Sequence, residues 1–200
     1  MSRFDAAAAE WDKGDMRQRI AAQTADTILK TIPLKADMDL LDFGAGTGLL
    51  TFRLASSVRS VTAVDTSPKM LEVLQSKSTP EHVIKTECRD ITQLPMEETF
   101  DGIISSMAMH HVENTEAFLK TLHAHLRPGG FIAIADLDKE DGTFHTHGNE
   151  GVYHFGFDRE ALKEKAEKNG FTDIRFDTAL TIEKPGGSYP IFLLSAYKAV

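Results

Sequence analysis

Short apolar runs alternate along most of the chain with longer stretches whose apolar residues recur at helical spacing. The apolar runs predict strands at 38–43, 60–65, 83–87, 100–107 and 131–137. Runs that are apolar throughout are typical of strands covered on both faces. The alternation therefore predicts an α/β fold, in which helices flank a mainly parallel sheet.

Start and stop signals set the expected helix boundaries. In "TSPKMLEVLQSK", Ser67 is the expected N-cap and Pro68 the first helical residue. "NTEAFLKTLHAHLRPGG" is expected to form a helix that stops at the Pro-Gly-Gly of residues 128–130. One face of this helix carries Phe118, Leu119, Leu122 and Leu126.

The end of the chain departs from the alternation. Two strand-like runs, 171–184 and 189–199, are separated by "PGGS" at 185–188. Such a short turn joins antiparallel neighbours. We therefore expect a Rossmann-like, seven-stranded, mainly parallel sheet whose last strand is antiparallel and lies in a C-terminal hairpin. The 200 residues show no repeat or linker and predict a single domain over 1–200.

Composition narrows the classes of partner. The chain has 30 acidic and 22 basic residues, a net charge of −8, which is a poor match for nucleic acid or an anionic membrane. Its one cysteine, Cys88, excludes an internal disulfide and suits a reducing compartment. The N-terminus does not resemble a signal peptide, and no apolar run approaches the ~18 residues of a membrane span. These features predict a soluble cytoplasmic protein.

The stretch "LLDFGAGTGLL" (40–50) places three glycines directly after the first predicted strand. Glycines there permit a tight turn and a close approach of a ligand to the backbone, and the helix expected in "TGLLTFRLASS" offers its N-terminus to a negative group. The dinucleotide fingerprint G-x-G-x-x-G would need its third glycine at Leu49. The pattern is instead G-x-G-x-G, which favours S-adenosylmethionine over a pyrophosphate that needs a wider cradle.

Acidic residues follow the next two strands at the same expected edge of the sheet. Asp65 ends the second strand, at the separation from the glycines where a carboxylate accepts from ribose hydroxyls. Asp90 and Ile91 follow the third strand, where a carboxylate and a backbone amide can pair with an adenine edge. The alternative for Asp90 is an ordinary turn residue.

Taken together, the motifs resemble class I S-adenosylmethionine-dependent methyltransferases, in the small-molecule group that includes the ubiquinone/menaquinone-biosynthesis type. The resemblance runs from about residue 4 to the C-terminus. The matching stretches are "LLDFGAGTGLL", "VTAVDTSPKML", "CRDITQLPMEETFDGIISSMAMHHV" and "LHAHLRPGGFIAIADL", in the family's order and spacing.

The resemblance implies a set of cofactor-binding residues. The methionine part would be held by Asp42 and the backbone of Gly44, Ala45 and Gly46, with Ser106 and Met107 near its amine. Asp65 would bind the ribose, and the adenine would lie among Thr66, Met70, Asp90 and Ile91.

An N-terminal helical lid, residues 1–32, would fold over the cofactor in this family. The family's two lid tyrosines correspond here to Phe4 and Trp11, so no tyrosine hydroxyl is available. Trp11 would serve as an apolar cover, and the alternative is a plain core aromatic.

Methyl transfer mainly requires alignment of the nucleophile and exclusion of water, so a catalytic base is optional. The candidate bases are His110 and His111 after the fourth strand, and His145 in an aromatic- and histidine-rich insertion at 137–157. The alternative for the first pair is that one histidine orients the loop while the other is solvated. A metal held by His145, His147 and His154 would need a fourth ligand, so no metal site is predicted.

The acceptor is expected to be a small molecule. Enzymes that methylate nucleic-acid bases often carry an Asn/Asp-Pro-Pro-aromatic stretch where this chain has "SSMAMHH". Two other classes stay open, a nicotinamide-dependent reductase and a non-catalytic S-adenosylmethionine-binding module. A monomer or homodimer is expected.

Overall fold

The computed structural model describes residues 2–145 and 148–200. Seven strands occur in these residues: β1 (Asp39–Phe43), β2 (Ser60–Asp65), β3 (Ile84–Cys88), β4 (Phe100–Ser106), β5 (Leu126–Leu137), β6 (Phe171–Lys184) and β7 (Gly187–Lys198). The α-helices there are α1 (Arg3–Ala7), α2 (Asp15–Thr31), α3 (Thr51–Leu54), α4 (Pro68–Lys77), α5 (Thr115–His125) and α6 (Arg159–Lys168). None of the helices in this part of the chain is long and apolar enough to cross a membrane.

All seven strands belong to one sheet in the order β3-β2-β1-β4-β5-β7-β6. The first five strands pair in parallel, while β7 pairs antiparallel with both β5 and β6. The predicted Rossmann-like fold class and the C-terminal hairpin are therefore confirmed. Strand order reverses between β1 and β4, which places the ligand crevice at the carboxyl ends of these two strands.

Apolar layers cover both faces of the sheet. On one face, residues of α2 and α3 such as Ile28 and Leu54 pack against Leu40 of β1 and Leu193 of β7. On the other, Phe118 of α5 and Leu162 of α6 pack with β4, β5 and β7. Because the inner strands are covered on both sides, their burial is continuous, as the apolar runs predicted.

The expectation that α5 continues to Pro128 was wrong. The helix ends at His125, and Leu126 already has an extended backbone and pairs with Phe100 of β4. Two causes act together. Proline disfavours helical geometry in the residue before it, and that residue, Arg127, donates to Asp101 at 2.6 Å.

The helix expected after the glycine loop is also shorter than predicted. Its α-helical part is confined to Thr51–Leu54 and is followed by one 3-10 turn at Ala55–Ser57. Gly48 has a φ of +85°, a conformation outside the α-helix, so helical geometry begins only after it. A four-residue helix offers no useful dipole, and the expected anion site at its N-terminus is therefore withdrawn.

Candidate active site

A cavity of about 980 Å³ opens at the carboxyl ends of β1, β2 and β4. The glycine loop and the ends of the strands form its floor, α1 and the start of α2 lie over it, and the loop after β5 closes one side. Every cofactor-binding residue predicted from the sequence lines this cavity except Ile91. Ile91 is fully buried in the apolar core, so only its backbone amide remains available for the predicted role.

The glycine loop leaves open space at one position. Gly44 and Gly46 both have positive φ, 66° and 55°. A Cβ on Gly44 would collide with the Cβ of Ala108, whereas a Cβ on Gly46 would meet no atom within 4 Å. Gly44 is thus required for packing, while Gly46 presents its bare backbone to the cavity.

Two carboxyl groups flank this loop, the buried Asp42 and the partly buried Asp65. Asp42 is buried and accepts a hydrogen bond from Thr51 Oγ1 at 2.6 Å. Burial raises the pKa of Asp42 to about 7, although the hydrogen bond from Thr51 opposes the shift. Burial also raises the pKa of Asp65, against backbone hydrogen bonds that favour its ionised form. Both groups would gain from a cationic ligand.

The Asp65 carboxylate also organises the loop around it. Its two oxygens accept from the backbone N–H groups of Gly46 and Ser67, each at 2.8 Å. Ser67 in turn caps α4 by accepting from Met70 N at 3.2 Å, as the sequence predicted. Asp65 therefore fixes the glycine loop against the N-terminus of α4, and each of its oxygens keeps a second lone pair for a ligand.

The remaining predicted cofactor residues lie around the same edge. Asp90 accepts from the backbone and hydroxyl of Thr92 at 2.9 and 2.6 Å, the turn role considered as its alternative. Its second oxygen is not used in that turn. Met107, directly after β4, has a positive φ of 58°, which is uncommon for a residue other than glycine and occurs often at functional sites.

The N-terminal segment is tied over the glycine-loop end of the cavity. Trp11 lies under the guanidinium of Arg17 at 3.9 Å and makes an edge contact with Phe4. Asp12 accepts from Thr47 of the glycine loop at 2.5 Å and pairs with Lys77 of α4 at 2.6 Å.

The predicted histidines come together at the other end of the cavity. The ring of His110 lies 4.1 Å from that of His111 and 5.1 Å from that of His145, centroid to centroid. His110 is buried, and its Nδ1 lies 2.8 Å from Oδ1 of the buried Asp136. The alternative for this pair was that one histidine orients the loop while the other is solvated. Both residues are instead oriented by hydrogen bonds, because His111 Nδ1 also bonds the carbonyl of Gly151 at 2.6 Å.

Two of these imidazoles are kept neutral near pH 7. Burial, followed by the proximity of His110, lowers the pKa of His111 and of His145 to about 4. The charges of Arg3 and Lys184 add to the effect at His145. His145 Nδ1 is buried and has no hydrogen-bond partner among the described residues, so it is available to a ligand.

The other histidines of the insertion do not join this cluster. His154 Nε2 lies 3.0 Å from the carbonyl of Val112 and 3.2 Å from Thr115 Oγ1, which pins the loop onto the start of α5. His147 lies outside the described residues. In residues 2–145 and 148–200, no group of three or more His, Cys, Asp or Glu side chains is arranged to hold a metal.

Four residues of the site were not found from the sequence: Arg3, Asp12, Asp136 and Lys184. Asp136 left a signal, because it is the one charged residue in the apolar run "FIAIADL". Lys184 donates to the carbonyl of Phe144 and lies 3.8 Å from its ring, so it braces the insertion from the end of β6. No local pattern in the sequence indicates that Lys184 contacts a loop 40 residues away.

Comparison with known proteins finds similar methyltransferases. Residues 41–134 match the family described as "Methyltransferase domain". An uncharacterised methyltransferase of Schizosaccharomyces pombe is 31% identical over 138 residues, covering 61% of this chain and 49% of the relative. Malonyl-[acyl-carrier protein] O-methyltransferase of Bacillus cereus is 30% identical over 141 residues, covering 69% and 52%. The chain thus spans about half the length of the curated relatives it matches.

Among solved structures, similarity extends over the whole fold. One chain of a Haloferax volcanii complex that contains the Trm112 methyltransferase activator superposes with a TM-score of 0.81 at 18% identity. The match covers 100% of this chain and 99% of that one. At this identity the likeness establishes the fold.

The fold and the family match together define the Rossmann-like class of S-adenosylmethionine-dependent methyltransferases. The chain belongs to the class I S-adenosylmethionine-dependent methyltransferase family.

Proposed function

We propose that this chain binds S-adenosylmethionine in the carboxylate-lined half of the cavity and transfers its methyl group to a small-molecule acceptor in the histidine-lined half. When bound, the cofactor supplies an activated methyl group on a sulfonium. The observation that carries the proposal is the open space at Gly46 beside the buried carboxyl of Asp42 and the partly buried carboxyl of Asp65.

The charge of this half of the cavity supports a cationic cofactor. S-adenosylmethionine carries a sulfonium and an ammonium, and both would favour the ionised forms of Asp42 and Asp65. A dinucleotide would instead bring its pyrophosphate close to these carboxyls. Like charges at short range in a partly buried site are unfavourable, so the nicotinamide-dependent reductase is the weaker candidate.

The residues of this chain would hold the cofactor in the manner the sequence predicted. Asp42 and the backbone of Gly44, Ala45 and Gly46 would bind the methionine part, and Ser106 and Met107 would lie near its amine. The free lone pairs of Asp65 and Asp90 would accept from ribose and adenine. Trp11 and the rest of the 1–32 segment would exclude water from above.

A small acceptor suits the remaining space. The histidine end is bounded by the insertion after β5, by Phe144 and Lys184, and by Arg3 of α1. Side chains of these elements form the floor and walls of this end of the cavity. Such a space favours a compact molecule over a base in a duplex. The acidic balance of the chain further favours an acceptor other than nucleic acid.

The non-catalytic binding module is the second candidate. His110, His111 and His145 around the acceptor half favour an enzyme, because a scaffold that only binds the cofactor has no use for one buried and two partly buried imidazoles beside an open cavity. The free Cys88 fits a cytoplasmic location. We also propose a single domain over 1–200 that works as a monomer or homodimer, which sedimentation velocity would measure.

The test of the cofactor is a calorimetric titration with S-adenosylhomocysteine, with NADH and NADPH as parallel controls. Binding of S-adenosylhomocysteine alone is the expected result. Binding of a nicotinamide cofactor in its place would assign the chain to the reductase class. Methyl transfer is then tested by product detection with S-adenosylmethionine carrying a labelled methyl group.

A further inference from the structure

Asp136 is a buried carboxylate in the middle of an apolar environment. It lies near the end of β5 with no exposed surface, and its strand neighbours on β7 are apolar. Its oxygens accept hydrogen bonds from the backbone N–H groups of His110, at 3.1 Å, and Leu137, at 2.8 Å. A third hydrogen bond joins Oδ1 to His110 Nδ1 at 2.8 Å. Burial of a carboxylate is costly, and such groups occur where a specific partner needs them.

The charge state of Asp136 sets which nitrogen of His110 carries a proton. An ionised carboxylate can only accept, and two backbone N–H bonds to Asp136 favour that ionised form. Beside the ionised carboxylate the Nδ1 atom donates, and in a neutral imidazole the Nε2 atom keeps its lone pair. Within residues 2–145 and 148–200, no group forms a hydrogen bond with that Nε2 atom.

The surroundings of His110 favour it over its neighbours as a base. The titratable groups in contact with it are Asp136 from β5, His111 on the same turn and His145 from the insertion, while Arg3 from α1 and Lys184 from β6 line the same cavity. The lowered pKa values of His111 and His145, about 4, make these two imidazoles poor proton acceptors near pH 7. Only His110 has a carboxylate to stabilise the imidazolium that a proton transfer creates.

We infer that Asp136 is a positioning residue that holds His110 with Nδ1 protonated. The unprotonated Nε2 then accepts a proton from the methyl acceptor. The inference rests on the proposed methyl transfer and deepens it, because it specifies the acceptor class. Such a base serves an acceptor atom that is still protonated at neutral pH, as in an alcohol or phenol. An ionised carboxylate would not need it.

In the proposed step the acceptor loses a proton and gains a methyl group. The bond between the acceptor's oxygen and its hydrogen breaks, and the hydrogen moves as a proton to His110 Nε2. The electron pair stays on the oxygen and forms the new bond to the methyl carbon, while the pair of the old methyl–sulfur bond remains on sulfur. The resulting imidazolium carries one positive charge beside the carboxylate of Asp136 and later loses its proton to solvent.

The first test is nuclear magnetic resonance of the wild-type protein labelled with ¹⁵N-histidine, with His110→Gln used to assign the signal. At pH 8 we expect a protonated, pyrrole-type Nδ1 and an unprotonated, pyridine-type Nε2 at His110. The reverse assignment would overturn the inference. Because this measurement uses the unaltered chain, it does not depend on the folding of any variant.

The second test compares Asp136→Asn with the wild type. The amide can present its NH₂ group to His110 Nδ1, so we expect the protonated form at Nε2 to appear. His111 is the internal control, since the Gly151 carbonyl holds it and its tautomer should stay unchanged. An unchanged tautomer of His110 in a folded variant would show that Asp136 does not set it.

A kinetic measurement separates positioning from simple structural support. With an alcohol or phenol acceptor, Asp136→Asn should lower kcat by about 10²–10⁴-fold, the range for loss of general base catalysis or of the correct tautomer. The KM for S-adenosylmethionine should stay unchanged. Equal turnover of variant and wild type contradicts the inference, whereas failure of the wild type to bind S-adenosylhomocysteine contradicts only the proposed function.

Discussion

Gly46 combines a left-handed backbone with open space where a side chain would begin. A methyl group at this position would enter the volume assigned to the cofactor. The same substitution also strains the backbone, since φ is +55°, and the two effects need to be separated.

We therefore expect Gly46→Ala to weaken S-adenosylhomocysteine binding by at least tenfold in calorimetric titration. Gly129→Ala is the matched control, because Gly129 also has a positive φ of 75° and lies away from the cavity. Both variants should lose a similar amount of stability. If Gly46→Ala binds as tightly as the control, the space beside the loop does not hold the ligand.

The buried carboxyl of Asp42, once ionised, lowers the stability of the free protein, and a cationic ligand would remove this loss. Its folded pKa of about 7 lies above the ordinary aspartate value of 3.8, so the folded state binds its proton more tightly than the unfolded state does. Stability from this group is therefore present at low pH and is lost as pH rises from about 4 through 7.

From this sign we expect Asp42→Asn to raise the Tm of the free protein at pH 8, with a smaller gain at pH 5. For a chain of this size, 1 kcal/mol corresponds to about 2–4 °C. The variant should bind S-adenosylhomocysteine more weakly at pH 8. Wild-type affinity should fall as pH falls below about 7, because binding the ammonium then requires release of the Asp42 proton, and the variant should lose this dependence. A variant that is both less stable and equally tight in binding would contradict the assignment.

At the level of single residues, the sequence identified the cofactor half better than the acceptor half. Asp42 and Asp65 lie at the carboxyl ends of strands and Gly46 follows one, so their convergence follows from parallel topology alone. The contact between His110 and Asp136 instead joins the turn after β4 to the end of β5, and no spacing in the sequence indicates that the two residues meet.

The segment Arg3–Lys13 is the element that covers the cofactor half. It contains one short α-helix and one 3-10 helix and buries only Ala8. Its attachment depends on polar contacts, chiefly those of Asp12 with Thr47 and Lys77 and of Asp5 with Ser67. Segments with few buried apolar contacts open at low free-energy cost.

Removal of one such tie should loosen the cover without unfolding the domain. We expect Asp12→Ala to increase hydrogen exchange in residues 3–13 and to speed the dissociation of S-adenosylhomocysteine. Glu10→Ala is the control, because Glu10 forms only an exposed pair with Lys13 of the same segment. Equal dissociation rates for the two variants would mean that the cover does not retain the ligand.

Element boundaries were predictable where the signal is local. The Ser67 cap and Pro68 fixed the start of α4 correctly, since both act within one turn. The end of α5 depends on distant groups, namely the pairing of Leu126 with Phe100 and the contact of Arg127 with Asp101. Helical periodicity in the sequence cannot register either of these contacts.

On the scale of the whole molecule, the alternation of apolar runs predicted the class of fold, and the short turn at 185–188 predicted the hairpin. The position of β7 between β5 and β6 was not predicted. Strand order depends on which sheet edge each new strand pairs with, and the sequence pattern does not carry that information. Phe192 marks this central position: it has no exposed surface and contacts the rings of Phe157 and Phe176.

We expect Phe192→Ala to lower the free energy of unfolding by about 3–5 kcal/mol, the usual range for an aromatic side chain removed from a core. Urea denaturation measures this value. Phe155→Ala, at a half-exposed aromatic of the insertion, should change stability by less than about 0.5 kcal/mol. Similar losses in both variants would contradict a special role for β7.

The position of β7 also has a consequence for synthesis on the ribosome. Strand β6 bonds only to β7, so it has no place in the sheet until residues 187–198 have emerged. Tyr189 of β7 contacts Thr143 and Phe144 of the insertion after β5. The insertion therefore also lacks this contact until β7 has emerged. The nascent chain can form the cofactor loop early, yet it completes the acceptor half only after translation has passed its last strand.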